Sequence, residues 1–334
     1  MNERVQIVKD KRRIQFIDLA KGICIILVVI SHVHIEIPYL LYIRMPLYFI
    51  LSGLFFKEYA GFFDFVIRKT NKILIPFLFF YLLGFLVYYL LSLVVPDVRI
   101  NSVVEKFYIY DPICSRLCVN SPLWFLLSLY TVNIIFYLIN KISSSAYVQG
   151  VVMVLVAICA YICKEERLFL PIYFEKSLFY MPFFFVGNLL KKQDVLIEAD
   201  SSKKRLDLLV AIGLLVLFAI SVLIDVTGPV ATIRHYIAST TGVCSLLLFL
   251  KQVGDRKSII SYFGRYSIII LCTSFWIYNP LRFVLDKLNL DIQECYISWS
   301  IFVITMAVEY MVIKLFVKYL PYVTAQKDLI PVKK

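Results

Sequence analysis

Long unbroken apolar runs limit this chain more than any other feature. The runs 74–86 and 208–223 contain no charged residue. No water-facing surface can be built over stretches of that kind. Hydrophobic residues make up 61% of the 334 positions and charged residues only 17%, and the mean hydropathy is +0.82. Soluble domains carry about a quarter charged residues. An ordinary cytosolic enzyme, a disordered chain and a secreted disulfide scaffold are therefore excluded. Outer-membrane barrel strands alternate apolar and polar residues, and these runs do not. Backbone groups in lipid must be satisfied within their own segment, which requires helices. The expected fold is all-α: a polytopic transmembrane helix bundle.

A crossing takes about 20 apolar residues, with roughly 17–25 as the working range. Ten stretches qualify: 14–35, 39–56, 73–95, 121–140, 146–163, 175–190, 206–226, 233–250, 258–280 and 296–318. The second and sixth are the shortest. With the N-terminus inside, the inner segments hold 24 Lys and Arg and the outer ones 10, and Lys21 in the membrane completes the 35. Cytoplasmic loops collect basic residues, so the expectation is N-in and C-in. The same asymmetry explains the net charge of +12 without nucleic acid. The whole chain, 1–334, reads as one membrane domain, with a cytoplasmic segment 1–13 and a cytoplasmic tail 319–334. The basic start leads into a retained first span, because no small-residue cleavage site follows it. Most of the eight cysteines lie in apolar runs as small hydrophobes. Cys114 and Cys118 could pair if their loop faces an oxidising compartment. No set of closely spaced ligands calls for a metal.

Polar residues at depth are costly and mark function by default. The first span carries Asp18, Lys21 and His32. Asp18 and Lys21 are three apart and share a helix face. Lys21 and His32 are eleven apart, close to three turns and about 16 Å along the axis. Asp18, Lys21, Ile25, Val28 and His32 thus form one stripe. Histidine titrates near neutral pH and suits a general base. The plainer readings are an anchoring pair at the helix end and a hydrogen-bonded interfacial histidine. Arg44 opens the second span, and Ser52-Gly53 within it suits close helix packing or substrate contact. Arg68, Lys69 and Lys72 open the third span, either as positive-inside anchors or as ligands for phosphate. No nucleotide-binding glycine loop is present. Trp124 and His235, at outer span ends, are interfacial residues or acceptor contacts. Asn133 and Glu309 lie within spans and need internal partners.

These residues resemble the integral-membrane acyltransferase-3 family, mostly bacterial O-acyltransferases of surface glycans. The resemblance covers essentially the whole chain. It rests on Asp18-Leu19-Ala20-Lys21-Gly22 followed by His32, on Pro46 through Gly53, on Arg68-Lys69 through Lys72 to Pro76, and on Pro122 through Leu126. It implies transfer of an acetyl or other acyl group from cytoplasmic acyl-CoA to a sugar hydroxyl, in the inner membrane and without a metal. His32 would be catalytic, with Lys21 and Asp18 in support. Arg68, Lys69 and Lys72 would hold the donor, and Arg44, Ser52, Trp124 and His235 the acceptor. Two departures stand out. The family usually has Arg where Lys21 stands, and many members have a second histidine where this chain has Ser274. A transporter or flippase of a glycan precursor, and a non-catalytic membrane partner, remain as alternatives.

Overall fold

The computed structural model describes residues 15–33, 35, 37–94, 120–193, 196, 204–253, 258–288 and 295–332. Segment 1–13, the Cys114–Cys118 loop and the basic residues of 254–257 lie outside these. Among the described residues the fold is entirely helical. Helix α1 is Gln15–His32, α2 Arg44–Leu54, α3 Phe62–Lys69 and α4 Ile75–Val94. Helix α5 is Trp124–Ile142, α6 Ala146–Glu165, α7 Phe174–Lys192 and α8 Lys204–Leu223. Helix α9 is Gly228–Val253, α10 Ile259–Arg265, α11 Ser267–Lys287 and α12 Cys295–Tyr319.

Seven of the described helical segments are long and apolar enough to cross a membrane. They correspond to the third, fourth, fifth, seventh, eighth, ninth and tenth expected spans. The other three expected spans are α1, α2 and α7, with 18, 11 and 19 residues. Helix α2 alone extends about 16 Å, half the hydrocarbon thickness of ~30 Å. A 3-10 turn at Leu40–Tyr42 lengthens its apolar segment to Leu40–Leu54.

Two spans differ from expectation at their ends. The third begins at Phe62 and not at 73. Helix α3 is amphipathic, with Phe65 buried and Asp64 paired to Arg68 across one turn at 3.0 Å. It runs into α4 through a π turn at Thr70–Leu74. Pro76 has no N–H to give the Lys72 carbonyl, so the helix widens just before it. The ninth span is broken at Tyr266: short α10 precedes it and α11 follows.

Glycines set the two closest helix crossings. A Cβ on Gly22 would lie 1.9 Å from the Ile260 carbonyl oxygen, and one on Gly264 1.8 Å from that of Asp18. The pair Gly53 and Gly187 joins α2 to α7 in the same way, at 1.9 Å from the Phe184 and Ile50 carbonyl oxygens. Without a hydrophobic force between helices in lipid, such close backbone contact is what binds them. The packing role read for Ser52-Gly53 thus falls to Gly53. Around α2 and α7, Phe56, Phe65, Phe136 and Phe184 form an edge-to-face cluster, a geometry that ring quadrupoles favour.

The loops at one end of the bundle are tied by cations. Lys191 donates to the Phe56 carbonyl, Lys192 to that of Ser144 and Lys72 to that of Ala325. Glu58 accepts from Asn140 and pairs with Lys141, both at 2.7 Å. The Lys141 hydrogen bond holds the Glu58 carboxyl below the ordinary carboxylate range. The partner expected for buried Glu309 is Thr273, whose hydroxyl lies 2.8 and 3.0 Å from the two carboxylate oxygens. Asn133 donates to the Leu129 carbonyl of its own helix.

Candidate functional site

Five of the expected spans and the C-terminal segment meet around a cavity of about 320 Å³. Helix α1 supplies Lys21, α2 supplies Tyr48 and Ser52, and the π turn region supplies Lys69 and Lys72. Gly264, Arg265 and Ser267 enter from the break in the ninth span, and Ala325 and Gln326 from the C-terminal segment. Four cations therefore face one space, and no Asp or Glu lines it among the described residues. Its apolar floor includes Phe125, Leu126 and Ile268.

The close crossing explains why the cations converge. Gly22 follows Lys21 and Gly264 precedes Arg265, so the glycine contact of α1 with α10 brings both cations to one rim. Tyr48 donates to the Lys21 carbonyl at 3.4 Å. The Lys21 ammonium also sits over the Phe55 ring, 5.5 Å from its centroid, a favourable cation–π placement.

Lys21 and His32 do share a face of α1. Ile25 and Val28 between them are buried, so the stripe looks into the bundle. His32 is not in the wall of this cavity. It lies at the opposite end of α1, stacked on Tyr278 of α11 with ring centroids 5.9 Å apart. Val33, Ile297 and Ile301 form the apolar surround of Tyr278. Asp18 is half-buried on the turn before Lys21.

The three cations of the third span separate. Lys69 and Lys72 reach the cavity, whereas the Arg68 guanidinium bonds Asp64 and lies over Tyr59 at 4.7 Å. Lys72 also pairs with Asp328 at 2.9 Å.

A second cavity, about 450 Å³, borders Trp124. Trp124, Phe169, Phe179 and Tyr180 line it with Lys164, Arg167, Lys176 and Glu175. The Lys176 ammonium stands 4.1 Å over the Trp124 ring. Trp124 is thus a cavity wall and not only an interfacial anchor. His235 packs between Tyr42 and Phe179, at 4.8 and 5.2 Å, and its neighbour Arg234 reaches the Tyr42 hydroxyl at 3.3 Å. Arg44 is half-buried at the start of α2, and its carbonyl accepts from Cys24. Ser274 is buried beside Thr273 on α11.

A family model described as an acyltransferase domain matches residues 14–314. The chain belongs to the acyltransferase-3 family. No curated protein and no solved structure matches it. The matched range takes in every described helix that lines the first cavity. As an acyltransferase and a multi-pass membrane protein, it needs an acyl donor and an acceptor in reach of one another. Phe125 lines the first cavity and its neighbour Trp124 the second.

The sequence assigns no site role to Arg265, in the stretch Tyr262–Ser267 that opens the ninth span, or to Gln326. Arg265 sits in a recognisable Gly-Arg-Tyr-Ser stretch at the start of a span, a signal that was visible. Gln326 had none, because only the return of the chain after α12 brings it to the cavity.

Proposed function

We propose that this chain is a membrane O-acyltransferase that takes an acetyl or other short acyl group from cytoplasmic acyl-CoA. The acceptor is a hydroxyl of a cell-surface polysaccharide or glycolipid sugar, and the membrane is the inner one. The observation that carries this reading is the cavity with Lys21, Lys69, Lys72 and Arg265 in its wall and no Asp or Glu among its described lining residues. Phosphates bind to such cations by charge and hydrogen bond. Coenzyme A carries its phosphates at one end and its thioester at the end of a flexible arm.

The arm then runs along the α1 stripe toward His32, about 16 Å from Lys21. His32 takes the proton from the acceptor hydroxyl, and the oxygen attacks the thioester carbonyl. The carbon–sulfur bond breaks, and the proton on His32 passes to the departing thiolate. In the other form of the mechanism His32 attacks first and carries the acyl group briefly. Either form needs His32. The second cavity suits a sugar: aromatic rings offer flat apolar faces, and Lys176 and Glu175 offer a donor and an acceptor.

The test is mass spectrometry of surface glycans from cells with wild-type protein, His32→Ala or no copy. An acyl mass increment seen only with wild type is the expected result. Full acylation with His32→Ala present would remove His32 from the chemistry. Loss of the glycan itself without the protein would turn the reading toward export.

A further inference from the structure

The C-terminal segment, expected as a cytoplasmic tail, docks onto the bundle. Helix α12 ends at Tyr319, and Pro321 follows. The chain then turns back on itself. Gln326 N and Lys327 N both donate to the Pro321 carbonyl, at 3.0 and 2.9 Å. The Thr324 hydroxyl donates to the Leu320 carbonyl at 2.8 Å, and Thr324 is fully buried. The turn carries Ala325 and Gln326 into the wall of the basic cavity.

One side chain holds this segment in place. Asn71 sits in the π turn with no solvent exposure. Its Oδ1 accepts from Leu329 N at 3.0 Å and from Ile330 N at 2.8 Å. Its Nδ2 donates to the Ile330 carbonyl at 2.9 Å. Three bonds to one strand of backbone use most of what an amide can offer. Lys72, the next residue, adds a bond to the Ala325 carbonyl and the ion pair with Asp328. That pair is about half exposed, so it directs the segment more than it holds it.

We propose that Pro321–Ile330 forms a wall of the donor site, with Gln326 touching the donor and Asn71 as the positioning residue that docks the wall. The inference rests on the cavity being the acyl-CoA site. Its physical logic is that a loosely attached chain end cannot place a side chain, whereas three bonds from a buried amide can. It also gives the π turn a purpose: the widened backbone presents Asn71 to the segment and Lys69 and Lys72 to the cavity.

The test uses the full-length protein in detergent, with wild type, Asn71→Ala and Gln326→Ala. Docking is read by the rate of tryptic cleavage after Lys327. Donor binding is read by the Kd for coenzyme A. Asn71→Ala is expected to speed cleavage after Lys327 and to weaken coenzyme A binding about three- to tenfold, the worth of one or two hydrogen bonds. Gln326→Ala keeps the anchor, so cleavage should stay slow while binding weakens. Wild-type affinity in both variants, with the segment released in Asn71→Ala, would overturn the wall. Slow cleavage in Asn71→Ala would overturn the anchor. If wild-type protein itself binds no coenzyme A, the donor-site reading fails and the wall with it, an outcome distinct from the other two.

Discussion

Gly264→Ala tests whether the α1–α10 crossing builds the donor site. A methyl at 264 would stand 1.8 Å from the Asp18 carbonyl oxygen and 2.5 Å from Gly22 N. Ordinary contact begins at 3.4 Å, so the two backbones must part by about 1.6 Å, the difference between 3.4 and 1.8. Neither contact is with a flexible side chain, so nothing can swing aside. Forced overpacking costs typically ~1–3 kcal/mol, and a backbone-on-backbone clash belongs at the upper end. The same displacement moves Lys21 away from Arg265. Misplacement on the order of 1 Å can cost ~100-fold in rate. The assay is thermal unfolding in detergent beside acyl transfer with varied acyl-CoA. The expected result is a lower Tm and a transfer rate down by one to two orders of magnitude. Gly213→Ala is the control, because open space surrounds that position on α8. Alanine there should leave both readouts unchanged or raise the Tm. Wild-type Tm and rate in Gly264→Ala would refute the argument, since the helices would then have slack at the crossing.

Thr273→Val should destabilise the bundle by about 1–3 kcal/mol, because it strips the hydroxyl partner from a fully buried carboxyl group. In a Glu309→Leu background the same change should cost much less, and a double-mutant cycle on unfolding checks this. Glu58→Gln should lower the Tm slightly at pH 7, and only slightly, because the Lys141 pair is about half exposed. The folded carboxyl titrates below its unfolded value of about 4.3. Its contribution is therefore present above that value and is lost as pH falls through the folded one. The gap between Glu58→Gln and wild type should be constant above about pH 5 and close on further acidification.

Much of this was legible in the sequence. Period-free apolar runs gave the helices, and the eleven-residue step from Lys21 to His32 gave a shared inward face. The missing parts have physical causes. Arg68, Lys69 and Lys72 read as one basic cluster, yet one helical turn and Asp64 at i−4 turn Arg68 aside. The span boundary at 73 was misplaced because an amphipathic helix with charges at its end looks like a loop in a hydropathy count. The break at Tyr266 falls inside a stretch counted as one span, and the backbone contact at Gly264 two residues before it shows only in the fold. Asn71 resembled any residue of a basic loop. Only the return of the chain from Pro321, over a separation of some 250 residues, shows what it binds.

The same polar stripe could in principle serve transport or catalysis, and the aromatic partition weighs between them. Phe125 faces the basic cavity and Trp124 the second one, with their rings perpendicular and 6.3 Å apart. Tyr48 backs Phe125 at 5.2 Å, and Tyr180 backs Trp124 at 5.8 Å. Phe49 stacks on Tyr180 at 4.6 Å and meets Phe125 edge-on at 5.4 Å, which braces the partition from α2. Large packed rings do not move aside without opening a void in the core. A sugar passing from one cavity to the other would have to displace several of them. On the proposed reading the acyl arm need not cross this partition, because it runs along α1 toward His32, beside Tyr278.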